Sequence, residues 1–220
     1  LPDPDPREIR YTVISVDDHL VEPPGMFDGR LPSAYQDLAP RVVETEEGHE
    51  VWEFDGQIFL QVGLNAVVGR PREDWKVEPT RFEDMRPGCW DIDARVEDMD
   101  INGVWAALNF PSQITGFCGR VFSLCSDPAL GLAVTRAWND WFHDEWWQPH
   151  PERNIPMGIT YLADAEAGAA EIRRNADRGF RAVTLPEQPH RIGLPPIFDP
   201  HWDPIIEACA ETGTVVCLHV

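Results

Sequence analysis

Asp17 and His19 stand two residues apart at the end of Tyr11-Thr12-Val13-Ile14-Ser15-Val16, a β-branched run that reads as a buried strand. On an extended segment this spacing sends both side chains to one face, where they can reach one point, and turns Asp18 the other way. That is metal-ligand spacing. His219 closes the apolar run Val215-Val216-Cys217-Leu218 and so ends a second strand in an equivalent position. Two imidazoles with one carboxylate suit zinc, manganese or iron, and an open coordination position would let the ion acidify a water or hold a substrate oxygen. Any one His, taken alone, is more often a hydrogen-bonded structural residue. Two strand-end positions together bring the metal reading level with that alternative.

Other polar residues fall at strand ends or just beyond them. Asn109 ends one strand, and Glu187 and His190 lie in the loop Pro186-Glu187-Gln188-Pro189-His190, so all three are candidates to face bound substrate. Each could equally satisfy loop backbone. Glu22, close after His19, is a candidate to orient a ligand as a supporting carboxylate. His143 sits between Phe142 and Asp144 on a helix and reads as a packing or surface residue, and His49 and His150 have solvent-facing contexts. Trp138, Trp141, Trp146 and Trp147 read as helix packing or a subunit interface.

The elements that must hold these groups alternate in type. After the first strand, turn chemistry at Glu22-Pro23-Pro24 opens a stretch rich in Pro, Gly and charge. It contains a hairpin, Arg41 to Thr45 and His49 to Phe54 about the turn Glu46-Glu47-Gly48, and a second turn at Asp55-Gly56 leads to Ile58 to Val62. Residues 28–95 are read as an insertion after strand one. Beyond it, helices are expected over Asp91 to Asn102, Asp127 to Trp147, Asp164 to Arg178 and Trp202 to Glu211. Strands are expected over Val104 to Phe110, Ile155 to Leu162, Phe180 to Leu185 and Thr214 to Val220. Strand and helix in alternation argue parallel strands joined by crossovers. A doubly wound sheet that binds a dinucleotide should place glycines in its first turn, and Asp17 to Pro23 has none. Polar residues gathered at strand carboxyl ends favour a (β/α)8 TIM barrel. Five strands do not close one, so residues 1–220 are read as an incomplete barrel domain carrying the 28–95 insertion.

Composition narrows the partners. The 220 residues are 43% hydrophobic with nine Trp, enough for a real core. Eighteen basic residues against thirty-eight acidic ones leave a formal charge of −20, which repels a phosphate backbone, so nucleic acid is not expected as a partner. No membrane segment or signal peptide is expected, because no long apolar run occurs and the start, Leu1 to Pro6, lacks both regions of a leader. A cytoplasmic location follows. Lys76 is the only Lys, in a polar stretch, which removes Walker A and Schiff-base chemistry. Cys89, Cys118, Cys125, Cys209 and Cys217 form no Cys-x-x-Cys pair and read as reduced, mostly buried thiols.

At this point the residues resemble a family. Ile14 to Pro23 is similar to the opening of the amidohydrolase-related proteins, amidohydrolase family 2, the branch of the metal-dependent amidohydrolase superfamily that includes aminocarboxymuconate semialdehyde decarboxylase. Phe198-Asp199-Pro200-His201-Trp202-Asp203-Pro204, followed by Cys217-Leu218-His219, resembles the same family's fourth crossover and fifth strand. The resemblance implies a (β/α)8 barrel with one divalent metal, commonly zinc, held by a His-x-His pair on strand one, a His on strand five and an Asp on strand eight. By position Asp17 takes the place of the first His, His19 of the second, and His219 of the strand-five ligand. A carboxylate in place of an imidazole favours a harder ion, so Mn2+ rivals Zn2+. The acid/base His after strand six and the strand-eight Asp are expected beyond Val220.

The expected activity is that of a metal-dependent lyase, a decarboxylase, or of a hydrolase, acting on a small carboxylate or amide compound. The alternative is a barrel without catalysis, serving as a binding or structural subunit. A small, anionic substrate and a homo-oligomer, a dimer, are the expected partners.

Overall fold

A computed structural model of the protein describes residues 2–6, 8, 10–60, 69–75 and 81–219. Strand β1, Ile14–His19, pairs in parallel with β5, Ala106–Phe110, and β5 pairs in parallel with β6, Asn154–Ile155. Strand β7, Met157–Gly158, pairs in parallel with β8, Ala182–Pro186, which pairs with β9, Val215–His219. Only Pro156 separates β6 from β7, and β5 contacts β7, so the two triplets join into one array running β1, β5, β6/β7, β8, β9. Proline has no N–H to give a ladder, which is why the middle strand is broken there. Each strand neighbours the next in sequence, with no reversal of order. That is the order of a strand array that curls one way, as opposed to the doubly wound order that reverses at its first strand.

Helix α1, Ile92–Asn102, is N-capped by Asp91 and closed by Gly103 at φ 71°; α2, Arg120–Ser123, is a single turn. Helix α3, Pro128–Trp141, starts at an Asp127 cap with Pro128 in its first turn and runs on as a π-helical turn, Phe142–Trp147. Helix α4, Ala165–Asp177, is capped by Asp164, and α5, Asp203–Thr212, carries Pro204 in its first turn and ends at Gly213. The third strand stops at Gly158, short of the expected Leu162. The side chain of Asn139 in α3 explains the stop, because it accepts from the Ile159 N–H and donates to the Ile159 carbonyl, both at 2.9 Å, taking the place of a ladder partner.

Within the 28–95 insertion, β2 (Arg41–Glu44), β3 (Glu50–Phe54) and β4 (Gln57–Phe59) form an antiparallel sheet, with Asp55 and Gly56 both at positive φ in the turn. Gln61 and Val62, and Lys76, lie outside the described residues. The insertion does not stand apart from the main layer. Trp52 and Phe54 of β3 enter the largest core cluster with Phe27, Phe122, Trp138, Trp141, Phe142 and Trp146, so the Trp run of α3 is interior packing. Between the strands lies a smaller cluster of Leu108, Phe110, Met157 and Ala182 with Cys217 packed against it; α4, α5 and β8 share a third around Ile172, Val183, Leu185 and Ile205. Ile14 and Val16 at one margin of the array, and Val215 and Leu218 at the other, are exposed. All five cysteines are free thiols, four of them buried.

Candidate metal centre

The ladder between β1 and β5 slips between Ser15 and Asp18. Two residues of β1, Val16 and Asp17, stand where β5 has one, which is the geometry of a bulge, a device that re-aims a side chain at a strand end. Asp18 turns back to accept from Ser15 Oγ at 2.8 Å, while Asp17 and His19 face the carboxyl end of the array. There they meet His219 of the opposite margin. His19 Nε2 and His219 Nε2 are 3.2 Å apart, His219 Nε2 is 3.2 Å from Asp17 Oδ1, and all three ligand atoms lie within 4.8 Å of one another.

This donor set fits a divalent ion. His19 Nδ1 lies 3.4 Å from the Pro111 carbonyl, which can only accept, so the hydrogen sits on Nδ1 and the Nε2 lone pair points at its neighbours. One hydrogen on His219 Nε2 can point at only one of the two acceptors that face it. A cation among the three atoms satisfies all of them, and tetrahedral ligands about 2.0 Å from zinc would stand about 3.3 Å apart, close to the two separations found. Burial, and then the neighbouring His219, lower the pKa of His19, which keeps its imidazole neutral and able to ligate.

Neighbouring residues fix the pair. Arg95 of α1 donates to the His19 carbonyl and lays its guanidinium over the Trp146 ring, 5.9 Å from the centroid. Phe110 lies 5.7 Å from the His19 ring and 4.4 Å from that of His219. Phe117 covers both imidazoles, edge-on to His19 at 5.9 Å and stacked on His219 at 6.4 Å. It does so from a backbone at φ 65°, a conformation that costs a bulky residue of order 1 kcal/mol or more and that tends to be kept at binding sites. Gly116 at φ 68° precedes it, and a Cβ there would come within 2.9 Å of Arg120 Nε.

His19 and His219 open onto a cavity of about 520 Å³, lined also by Phe117, Cys118, Arg120, Pro186, Glu187, Gln188, Arg191 and Ile192, while Asp17 lines a second cavity that His19 shares. Burial pushes the Cys118 thiol up to about 11, so it is uncharged at neutral pH. Of the other residues singled out from sequence, Glu187 lines this cavity, exposed, and accepts from Gln188 Nε2 at 2.7 Å. His190 is exposed on the turn Pro189–Ile192 and does not line it. Asn109 is fully buried within β5 and donates to Asn154 Oδ1 at 3.3 Å, away from the cavity. Glu22 makes its hydrogen bonds elsewhere than to the ligands. It accepts from the Ser112 N–H at 3.1 Å, from Ser112 Oγ and from Trp138 Nε1 at 3.0 Å, so it ties the loop after β1 to the loop after β5 and to α3. His143 stacks on Phe180 and bonds Asp144, in line with a packing role. Sequence reasoning missed Phe117, Arg120 and Arg191. The closely spaced Gly116 and Gly119 were the available signal for a shaped loop after β5.

The family model for Amidohydrolase matches residues 19–220. The chain belongs to the amidohydrolase family. A TIM-barrel-like α/β fold comes with that family and its solved members. An amidohydrolase from Mycobacterium avium subsp. paratuberculosis superposes over 97% of this chain with a TM-score of 0.72 at 22% identity. A 5-carboxyvanillate decarboxylase from Novosphingobium aromaticivorans, solved with manganese and 4-hydroxy-3-methoxy-5-nitrobenzoic acid, superposes over 96% with a TM-score of 0.59 at 19% identity. A 2,6-dihydroxybenzoate decarboxylase from Rhizobium gives 94%, 0.55 and 15%. The chain spans 60%, 51% and 49% of those three solved chains, respectively. No curated protein matches the sequence.

Proposed function

We propose that this chain carries the metal site of a mononuclear amidohydrolase-family enzyme that removes carbon dioxide from a small carboxylate. The convergence of Asp17, His19 and His219, with both imidazoles lining a cavity, carries the reading. The decarboxylase names of two solved neighbours support lyase chemistry over hydrolysis. Asp17, His19 and His219 would hold the ion, Zn2+ or, given the carboxylate, Mn2+, and the ion would supply Lewis-acid polarisation of a substrate oxygen. Phe117 and Phe110 pack against the imidazoles, the Pro111 carbonyl holds His19 in the ligating tautomer, and Arg95 anchors the His19 backbone carbonyl.

We take the five-stranded array as part of a closed (β/α)8 barrel. The apolar side chains exposed on β1 and β9 support this, since further strands would cover them. The strand-eight Asp and the acid/base His that the resemblance implies belong to that remainder. A cytoplasmic homodimer completes the proposal; among the described residues no helix is long and apolar enough to cross a membrane.

The test is product analysis on full-length protein supplied with Zn2+ or Mn2+. Carbon dioxide released from 2,6-dihydroxybenzoate or 5-carboxyvanillate, and lost in His219→Ala, is the expected result. Turnover of amide substrates alone would make the protein a hydrolase. No turnover of either kind would make it a binding subunit.

A further inference from the structure

In a chain of net charge −20, arginines are expected to be paired, and most described ones are. Arg30, Arg81, Arg86, Arg153, Arg174 and Arg178 all hold carboxylates. Arg120 and Arg191 have no ion pair and no side-chain hydrogen bond among the described residues, and both line the cavity above His19 and His219. They come from different crossovers, Arg120 from the first turn of α2 after β5 and Arg191 from the turn after β8. The remaining charge on the cavity wall, Glu187, takes its hydrogen bond from Gln188. Phe117, Pro186 and Ile192 supply apolar wall around the two cations, and about 520 Å³ is room for a one-ring ligand.

We propose that Arg120 and Arg191 are a receptor for a second anionic group, so that the site prefers small compounds carrying two acidic groups, one at the imidazoles and one at the guanidiniums. The inference rests on the substrate site lying in this cavity, and it deepens that reading by naming a specificity determinant. Arginine is suited to the task because its planar fork holds a carboxylate by two charge-assisted hydrogen bonds. The apolar wall between the two ends would hold the body of the ligand.

The test measures binding of benzoate, isophthalate and terephthalate to metal-loaded full-length protein by calorimetry, with Arg120→Gln/Arg191→Gln, Arg120→Lys and His219→Ala as variants. The wild type is expected to bind at least one dicarboxylate about 10-fold or more tighter than benzoate, the effect of one or two charge-assisted hydrogen bonds. The double variant is expected to lose that preference while keeping benzoate affinity, metal content and melting temperature, and Arg120→Lys to keep part of it. An undiminished preference in the double variant, or no dicarboxylate binding by the wild type, would overturn the proposal. Metal content reports separately on the ligand site. A wild type without metal that still shows an Arg-dependent preference would sink the metal reading and leave the receptor standing.

Discussion

The α3–α4 interface and the rim around His19 both gather ionisable side chains from distant parts of the chain, and they balance them in opposite ways. At the interface the account is closed. Glu171 is fully buried, yet accepts from Asn139 at 2.9 Å, from Arg174 at 2.7 Å and from Arg136 at 3.3 Å, while Asp140 answers Arg174 and Arg178. At the rim three donors face one another across 3.2 Å gaps, and two arginines face a cavity with no carboxylate partner among the described residues. Charges satisfied inside the chain hold elements together; charges left facing a cavity are positioned for something that is not protein. A strand-end rim can carry such a set because the array, with its apolar clusters, fixes the backbone beneath it.

Glu171→Ala takes a buried acceptor from Asn139, Arg136 and Arg174, and should cost about 2 kcal/mol of stability, in the range for hydrogen-bond partners left unmade, since Asp140 still holds Arg174. Metal content per folded chain should stay at the wild-type level. Denaturant unfolding with metal analysis of the folded fraction checks both, and a specific loss of metal would show that the two regions are not separable.

Glu22 sits between the two cases, since it is fully buried like Glu171 but its partners Ser112 and Trp138 are neutral. Burial raises its pKa above the ordinary 4.5, only partly offset by those hydrogen bonds. A folded-state pKa above the unfolded one means that its contribution to stability is fully present below about pH 4.5 and is lost as pH rises through the raised value. Glu22→Gln, which cannot ionise, should therefore gain on the wild type across that window. Unfolding free energies for the two proteins that run parallel with pH would contradict the assignment, and would bring Glu22 closer to Glu171 in kind.

Much of this difference was legible in the sequence. The i, i+2 spacing of Asp17 and His19 and the apolar run before His219 point to strand ends, and strand ends of a parallel array share one face. Asp127, Asp164, Gly103 and Gly213 mark helix limits through local capping chemistry, which needs no tertiary context. What was hidden depends on distant partners. The bulge before Asp17 shows only in the pairing with β5, and the end of the third strand is set by Asn139, twenty residues earlier in the chain. Arg120 and Arg191 follow no period, and nothing in their neighbours says that their charges lack carboxylates. Glu22, read as support for a metal ligand, is instead claimed by Ser112 and Trp138, 90 and 116 residues away.

Asp17, His19 and His219 at the rim are read above all as a metal site. Metal analysis of purified full-length protein after growth with added Zn2+ and Mn2+ tests it most directly, beside His219→Ala. About one divalent ion per chain is expected in the wild type, as for a mononuclear site, and close to none in the variant, with the fold retained. A wild type without metal, or a variant that keeps its full content, would contradict it.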